Sequence, residues 1–312
     1  MVERIRLITQ HVSFLFFIYG GRLGIQLGHS LPCFSCPYAS GCAGHCYLMA
    51  LQSSHAGFQV SFDYLFSRFG LQVLWAFAAF LLFFIPLSKF WCAWLCPFCL
   101  FQDWLTMIRK KMGIREMIIS PKVRDNIRPV KFILLGLMVI IPLAVANFGL
   151  HPDWALPFCQ ICPAKPILPI FTGNFSYFSI DFTNSVTLVF SLVSMVITGG
   201  FLVGMFFKER FFCMVCPMLG LMHIFKAISP LKFEKNVDTC LACGNCQRIC
   251  PIDISRVHLE KKKKDVLTQD CMACMRCVES CPGDRVLTFK WFKFDLFSSS
   301  RLYLARKWSK KK

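Results

Sequence analysis

Residues 240–251 read C-L-A-C-G-N-C-Q-R-I-C-P, and residues 271–282 read C-M-A-C-M-R-C-V-E-S-C-P. Both are C-x2-C-x2-C-x3-C-P runs. In such a run three closely spaced thiolates curl around one cubane iron–sulfur cluster, and the fourth crosses to the neighbouring cluster. The proline that follows stops the chain from continuing as a regular helix or ladder. On this rule Cys240, Cys243, Cys246 and Cys281 hold one [4Fe–4S] centre, and Cys271, Cys274, Cys277 and Cys250 hold a second. Paired zinc knuckles are the competing reading, because C-x2-C pairs also make tetrahedral zinc sites. Two runs of such regularity exceed what zinc requires.

Upstream of these runs the composition changes character. The chain has 312 residues, is 55% hydrophobic and is 15% aromatic, too apolar for an ordinary soluble protein. Apolar runs of membrane-span length lie at 12–29, 70–88, 130–149 and 185–207. Arg4 and Arg6 precede the first, but no small-residue cleavage signal follows it, so it reads as an uncleaved span. The net charge of +18 is unevenly spread. Lys89, Arg109, Lys110, Lys111, Arg115, Lys122, Arg124 and Arg128 crowd the segment between the second and third spans, and everything after Phe207 is basic. The loops at 30–69 and 150–184 hold one basic residue each, Arg68 and Lys165. This asymmetry follows the positive-inside rule. It predicts a multi-pass protein of the cytoplasmic (inner) membrane, with both termini and the cysteine-run module in the cytoplasm. A membrane surface accounts for the basic excess, and no nucleic-acid partner is expected.

The remaining cysteines sit at span ends. Outside the membrane, 31–46 carries Cys33, Cys36, Cys42 and Cys46, and the third span leads out to Cys159 and Cys162 in L-P-F-C-Q-I-C-P. Inside, the second span delivers Cys92, Cys96 and Cys99 in W-C-A-W-L-C-P-F-C, and the fourth delivers Cys213 and Cys216 in F-F-C-M-V-C-P. Each half of this region therefore reads as span, outer C-x2-C-P, span, inner cysteine-proline motif and amphipathic stretch, an internal repeat. The first amphipathic stretch, Leu100 to Met112, reads as interfacial. Each half supplies two thiolates per face, half a cubane's ligand set. Joining the halves predicts an inner cluster on Cys92, Cys96, Cys213 and Cys216, and an outer cluster on Cys33, Cys36, Cys159 and Cys162. At the outer site Cys42 and Cys46 compete as ligands, and disulfides are chemically permitted there. Cys99 reads as a buried free thiol.

The expected fold is an integral membrane α-helical, four-span bundle built from an internal duplication, followed by a cytoplasmic α+β two-cluster ferredoxin-like module. Its divisions fall at 1–230, 231–290 and a basic aromatic tail over 291–312. Gly20, Gly24 and Gly28 would place a small-residue groove on one face of the first span. Arg22 falls near mid-span, where a charge faces a pocket or a partner. With His29 and His151 it is a candidate quinone-binding residue.

With W-C-A-W-L-C-P-F, F-F-C-M-V-C-P and the tandem runs in hand, the chain resembles the NapH/NosR-type membrane polyferredoxins from the first span onward. The resemblance implies electron transfer between the quinone pool or a cytoplasmic donor and a membrane or periplasmic partner. It also implies two to four [4Fe–4S] clusters and a place in a membrane redox complex as the electron-transfer subunit of an oxidoreductase, with a quinol dehydrogenase as one form. A soluble carrier or a periplasmic reductase would be the exchanging partner. The second inner motif, C-x2-C-P, is one residue shorter than the family's C-x3-C-P, and the outer cysteines are more numerous than NapH leads one to expect. A metal-reducing accessory protein similar to the CcoG group is the alternative, with Cys33, Cys36, Cys42 and Cys46 beside His45 and Met49 as its metal-handling residues.

Overall fold

A computed structural model describes residues 2–57, 67–261, 265–268 and 270–301. Among these, seven helices have eight residues or more: α1 (Val2–Tyr19), α2 (Tyr47–Ala56), α3 (Arg68–Leu87), α4 (Pro97–Lys111), α5 (Val130–Phe148), α6 (Ser185–Phe207) and α7 (Pro217–Ile224). Three stretches have the length and composition to cross a membrane: Gly70–Leu87, Lys122–Phe148 and Ser185–Phe207. Apolar side chains also cover their outward faces; Trp75 is 74% exposed and Val196 76%. An apolar face of that kind is stable against lipid tails rather than water. Starts are set locally. The Ser67 hydroxyl accepts from the Gly70 N–H at 3.3 Å at the head of α3, and Pro97 and Pro217 open α4 and α7 as first-turn prolines.

Among the described residues the expected first span over 12–29 is not one of these three stretches. Helix α1 covers Val2–Tyr19, begins with Glu3, Arg4 and Arg6, and gives way to a short 3-10 turn over Gly20–Leu23. A Cβ on Gly21 would stand 2.4 Å from the Cys42 carbonyl oxygen, so this glycine exists to let the 41–44 loop pass. Gly24 then takes a left-handed φ of +80°, which ends the turn. The glycines therefore fold the chain against its own loop, and the small-residue helix groove read from their spacing is not formed. Arg22 lies in that turn, exposed, 5.7 Å from the Tyr19 ring centre, and not in the middle of a span.

Helix α4 also departs from expectation. Gln102, Asp103, Thr106 and Arg109 lie on one helical face and are buried, while Met107 and Ile108 are exposed. The polar stripe of this amphipathic helix faces the protein interior, so it does not lie with that stripe in water.

After Pro230 the chain forms strands β1 (Leu231–Lys235), β2 (Leu287–Trp291) and β3 (Phe294–Ser298), an antiparallel sheet in the order β1-β2-β3. Phe233 and Phe289 face each other in register and stack at 4.2 Å with both rings fully buried. Both cysteine runs lie between β1 and β2. Strand β3 completes the sheet, so the module continues past residue 290, where the tail was expected to begin. Residues 302–312 of that tail and lysines 262–264 lie outside the described residues.

Candidate metal centres

Four cavities of similar size carry the cysteines. One of about 370 Å³ is lined by Cys240, Cys243, Cys246 and Cys281. A second, of about 430 Å³, is lined by Cys250, Cys271, Cys274 and Cys277, with Cys246 on its rim. Each run thus sends its fourth cysteine across to the other cavity. Burial pushes the Cys250 thiol up to about 12 and Cys271 to about 11, so these groups are protonated at neutral pH without metal and must release protons on ligation.

The third cavity, about 350 Å³, lies among the membrane helices and is lined by Cys92, Cys96, Cys213 and Cys216. Cys33 and Cys99 line it too, and Cys99 Sγ lies 3.5 Å from Cys213 Sγ. The fourth, also about 350 Å³, is lined by Cys36, Cys46, Cys159 and Cys162. Of the outer ligand set expected from sequence, the structure brings together Cys36, Cys159 and Cys162. It puts Cys46 in the fourth place and turns Cys33 to the inner cavity. The cause is the fold of the 31–46 loop. Leu31 and Cys46 form an isolated parallel bridge, and the Cys46 N–H donates to the Ser35 carbonyl at 3.0 Å, which pulls Cys46 beside Cys36. Cys33 and Cys36 then fall on opposite sides of Phe34. Cys42 is buried but lines none of the four cavities.

Cys46, Cys96 and Cys216 share one local geometry. Each is extended, with φ between −58° and −66° and ψ between 116° and 132°, and each immediately precedes a helix, α2, α4 or α7. Cys162 has the same backbone (φ −68°, ψ 126°) before Pro163. Helix N-termini aimed at a cavity favour an anionic occupant such as thiolate-ligated iron–sulfur. Among the described residues no group of three His, Cys, Asp or Glu side chains is placed to hold a single metal ion. The thiols instead ring a space, with the all-sulfur donor set that cubane clusters take.

The residues proposed for quinone do not share partners. His29 Nδ1 lies 2.5 Å from His45 Nδ1 in an exposed ring pair, His151 pairs with Asp153 at 3.2 Å, and Arg22 lies over Tyr19.

Comparison with known proteins agrees with this donor chemistry. A 4Fe-4S dicluster domain matches residues 232–282, and a 4Fe-4S binding domain matches twice, at 69–115 and 190–236. The putative electron transport protein YccM of Escherichia coli is 28% identical over 68% of this chain and 54% of its own length. The ferredoxin-type protein NapH of Haemophilus influenzae is 27% identical over 65% of this chain and 62% of its own. The chain is therefore similar to NapH-type polyferredoxins. An uncharacterised protein of Methanocaldococcus jannaschii, MJ0750, is 26% identical over 59% of the chain and 68% of its own length. The chain spans only about half the length of YccM. No solved structure matches it. The matched domains are 4Fe-4S binding domains, and three described stretches have the length and composition to cross a membrane.

Charged residues that sequence reading missed hold the chain's two parts together. Arg210 grips Asp103 through two bonds, Nη2–Oδ2 at 2.5 Å and Nε–Oδ1 at 3.0 Å, and both residues are buried. Burial pushes the Asp103 carboxyl up, but Arg210 and Arg6 outweigh it and hold it below the usual carboxylate range. Arg210 does this from a left-handed φ of 58°, costly for a non-glycine residue. Its Nη1 also lies 3.3 Å from Met272 Sδ in the second cysteine run. Lys131 and Arg128, at the head of α5, pair with Asp270, and Lys208 bonds Asp253 at 2.5 Å. Arg276 pairs with Glu209, and Trp94 Nε1 donates to the Ala273 carbonyl at 3.1 Å. Basic residues at the ends of apolar spans are the one signal that could have pointed to these latches, because each needs a carboxylate once buried.

Proposed function

We propose that this protein passes electrons through four [4Fe–4S] clusters in one line, from the ferredoxin-like module into the membrane. The carrying observation is that consecutive cavities share a wall. Cys246 lines both cavities of the module, Met272 lines the nearer of these and the inner membrane cavity, and Phe34 lines the inner and outer membrane cavities. Electron tunnelling falls off steeply with distance, so centres one side chain apart exchange electrons fast. The ~30 Å thickness of an apolar layer would separate clusters placed at opposite faces; cavities meeting at Phe34 do not face that gap. The ligands are Cys240, Cys243, Cys246 and Cys281; Cys250, Cys271, Cys274 and Cys277; Cys92, Cys96, Cys213 and Cys216; and Cys36, Cys46, Cys159 and Cys162. When bound, each cluster supplies a one-electron site whose potential is set by net charge, hydrogen bonds and exposure.

The double match of the 4Fe-4S binding domain supports a duplicated membrane region. The basic residues after Phe207 and between 89 and 128 support a cytoplasmic module. Electrons enter or leave there through a soluble carrier or another subunit of a membrane redox complex. At the outer end a quinone is the exchanging molecule, with the exposed His29–His45 pair near Cys46 to take or give its proton. Iron and acid-labile sulfide on the anaerobically purified chain decide the cluster count. About sixteen irons are expected at four per cubane, and about eight would leave only the module's clusters and sink the four-cluster line. Quinol should reduce the oxidised clusters, and Arg22→Ala or His29→Gln should slow that step; equal rates would remove these residues from it.

A further inference from the structure

Two fully buried glutamines, Gln52 in α2 and Gln102 in α4, occupy equivalent places beside the two membrane cavities. Gln52 Nε2 donates to the carbonyl of Leu48 at 2.9 Å and to Cys159 Sγ at 3.3 Å, and its Oε1 accepts from the Phe158 N–H at 3.0 Å. Gln102 Nε2 donates to the carbonyl of Phe98 and to Cys213 Sγ, both at 3.5 Å, and its Oε1 accepts from the Phe212 N–H at 3.2 Å. Each amide thus reaches the carbonyl four residues back, the sulfur of a cysteine, and the backbone N–H of the phenylalanine before that cysteine. The sequence repeats with it. C-A-G-H-C-Y-L-M-A-L-Q over 42–52 has the spacing of C-A-W-L-C-P-F-C-L-F-Q over 92–102, and F-C-Q-I-C-P over 158–163 has that of F-C-M-V-C-P over 212–217. The two cavities share a C-x5-Q segment set against an F-C-x2-C-P segment; the earlier cysteine of the longer repeat lines the inner cavity as Cys92, whereas its counterpart Cys42 does not line the outer one. This pairing is different from the one read off the outer C-x2-C-P motifs.

We propose that Gln52 and Gln102 are positioning residues that set the reduction potentials of the outer and inner membrane clusters, respectively, each acting through one cysteine sulfur. The inference rests on the reading that both cavities hold clusters. An N–H donated to a ligand sulfur spreads negative charge, and the reduced cluster carries more of it, so the bond favours reduction. A glutamine has two amide hydrogens, and both are committed here, one to the helix carbonyl and one to sulfur. A purely structural staple needs only the backbone bonds.

The test is a redox titration of the anaerobic full chain followed by EPR, with iron counted on each sample. Gln102→Met has similar length and no donor. With about sixteen irons retained it should move the inner cluster to a more negative potential and leave the outer one in place; Gln52→Met should do the converse. If a methionine variant loses iron, the glutamate variants carry the test. Each keeps the acceptor for the phenylalanine N–H and loses the donor to sulfur. Full iron with unchanged potentials in these variants, or both potentials moving together, overturns the proposal. About eight irons in the wild-type chain would instead overturn the four-cluster reading beneath it.

Discussion

At the scale of single residues, the structure separates cysteines that sequence could not. Cys46 lines the outer cavity and Cys42 does not, although the two lie four residues apart in one loop. Cys46→Ser should therefore lose about four of sixteen irons, whereas Cys42→Ser should keep them all, as read by iron analysis. The grouping of the run cysteines around two cavities was legible because the crossing rule is local. The outer set was not, because the bridge from Leu31 to Cys46 is a tertiary contact with no periodicity to announce it. The Arg210–Asp103 pair was hidden for the same reason, its partners being 107 residues apart. Arg210→Met strands a buried carboxylate, and loss of one partner of such a pair costs about 3–5 kcal/mol. The expected readout is a lower denaturation midpoint of the cluster absorbance, with Asp103→Asn similar. A midpoint unchanged in Arg210→Met would show that Arg6, 3.8 Å from Asp103, suffices alone.

At the scale of elements, the three long apolar helices followed from composition, whereas α4 starts at Pro97, ahead of the amphipathic stretch read from Leu100. The end of α1 did not follow, because hydropathy does not register the close approach at Gly21. Gly21→Val should distort the turn and with it the 41–46 loop, so the outer cluster's EPR signal should broaden while the module's signals stay unchanged. The segment after α4 offers a pH-dependent contact. Glu116 Oε1 lies 2.9 Å from Lys208 Nζ and accepts the Glu209 N–H at 3.3 Å. Burial pushes the Glu116 carboxyl up, but the Lys208 bond and charge, the Glu209 N–H and Arg109 together outweigh it, and the group sits below the ordinary carboxylate range. A depressed folded value contributes stability above the unfolded pKa of about 4.3 and loses it as pH falls through the folded value. Amide protection over 113–120, corrected for the intrinsic exchange rate at each pH, should therefore fall on acidification below about pH 4, and Glu116→Gln should lack that protection already at neutral pH. Exchange equally slow in both would discard the contact as a latch.

At the scale of the whole molecule, the tandem runs pointed to the module that the 4Fe-4S dicluster domain matches, but not to how it packs against the apolar helices. That docking rests on buried pairs between distant segments, Lys131 and Arg128 with Asp270 and Lys208 with Asp253. Asp270→Asn removes the carboxylate that pairs with buried Lys131 beside Cys271 and, among the described residues, leaves Arg128 with Asp125 only. It should slow electron exchange between the module and the inner cluster at full iron content, measured by stopped-flow reduction with dithionite. An unchanged rate would mean that the docking does not depend on this carboxylate.

The single side chains between neighbouring cavities have a further consequence. On the proposed four-cluster line Met272 is, among the described residues lining both, the side chain shared by the second run's cavity and the inner membrane cavity, so the two halves would work as components in series. Oxidation of that thioether to the sulfoxide, or its substitution, would leave every cluster loaded and both ends able to charge and discharge, and would change the rate at which current crosses the middle.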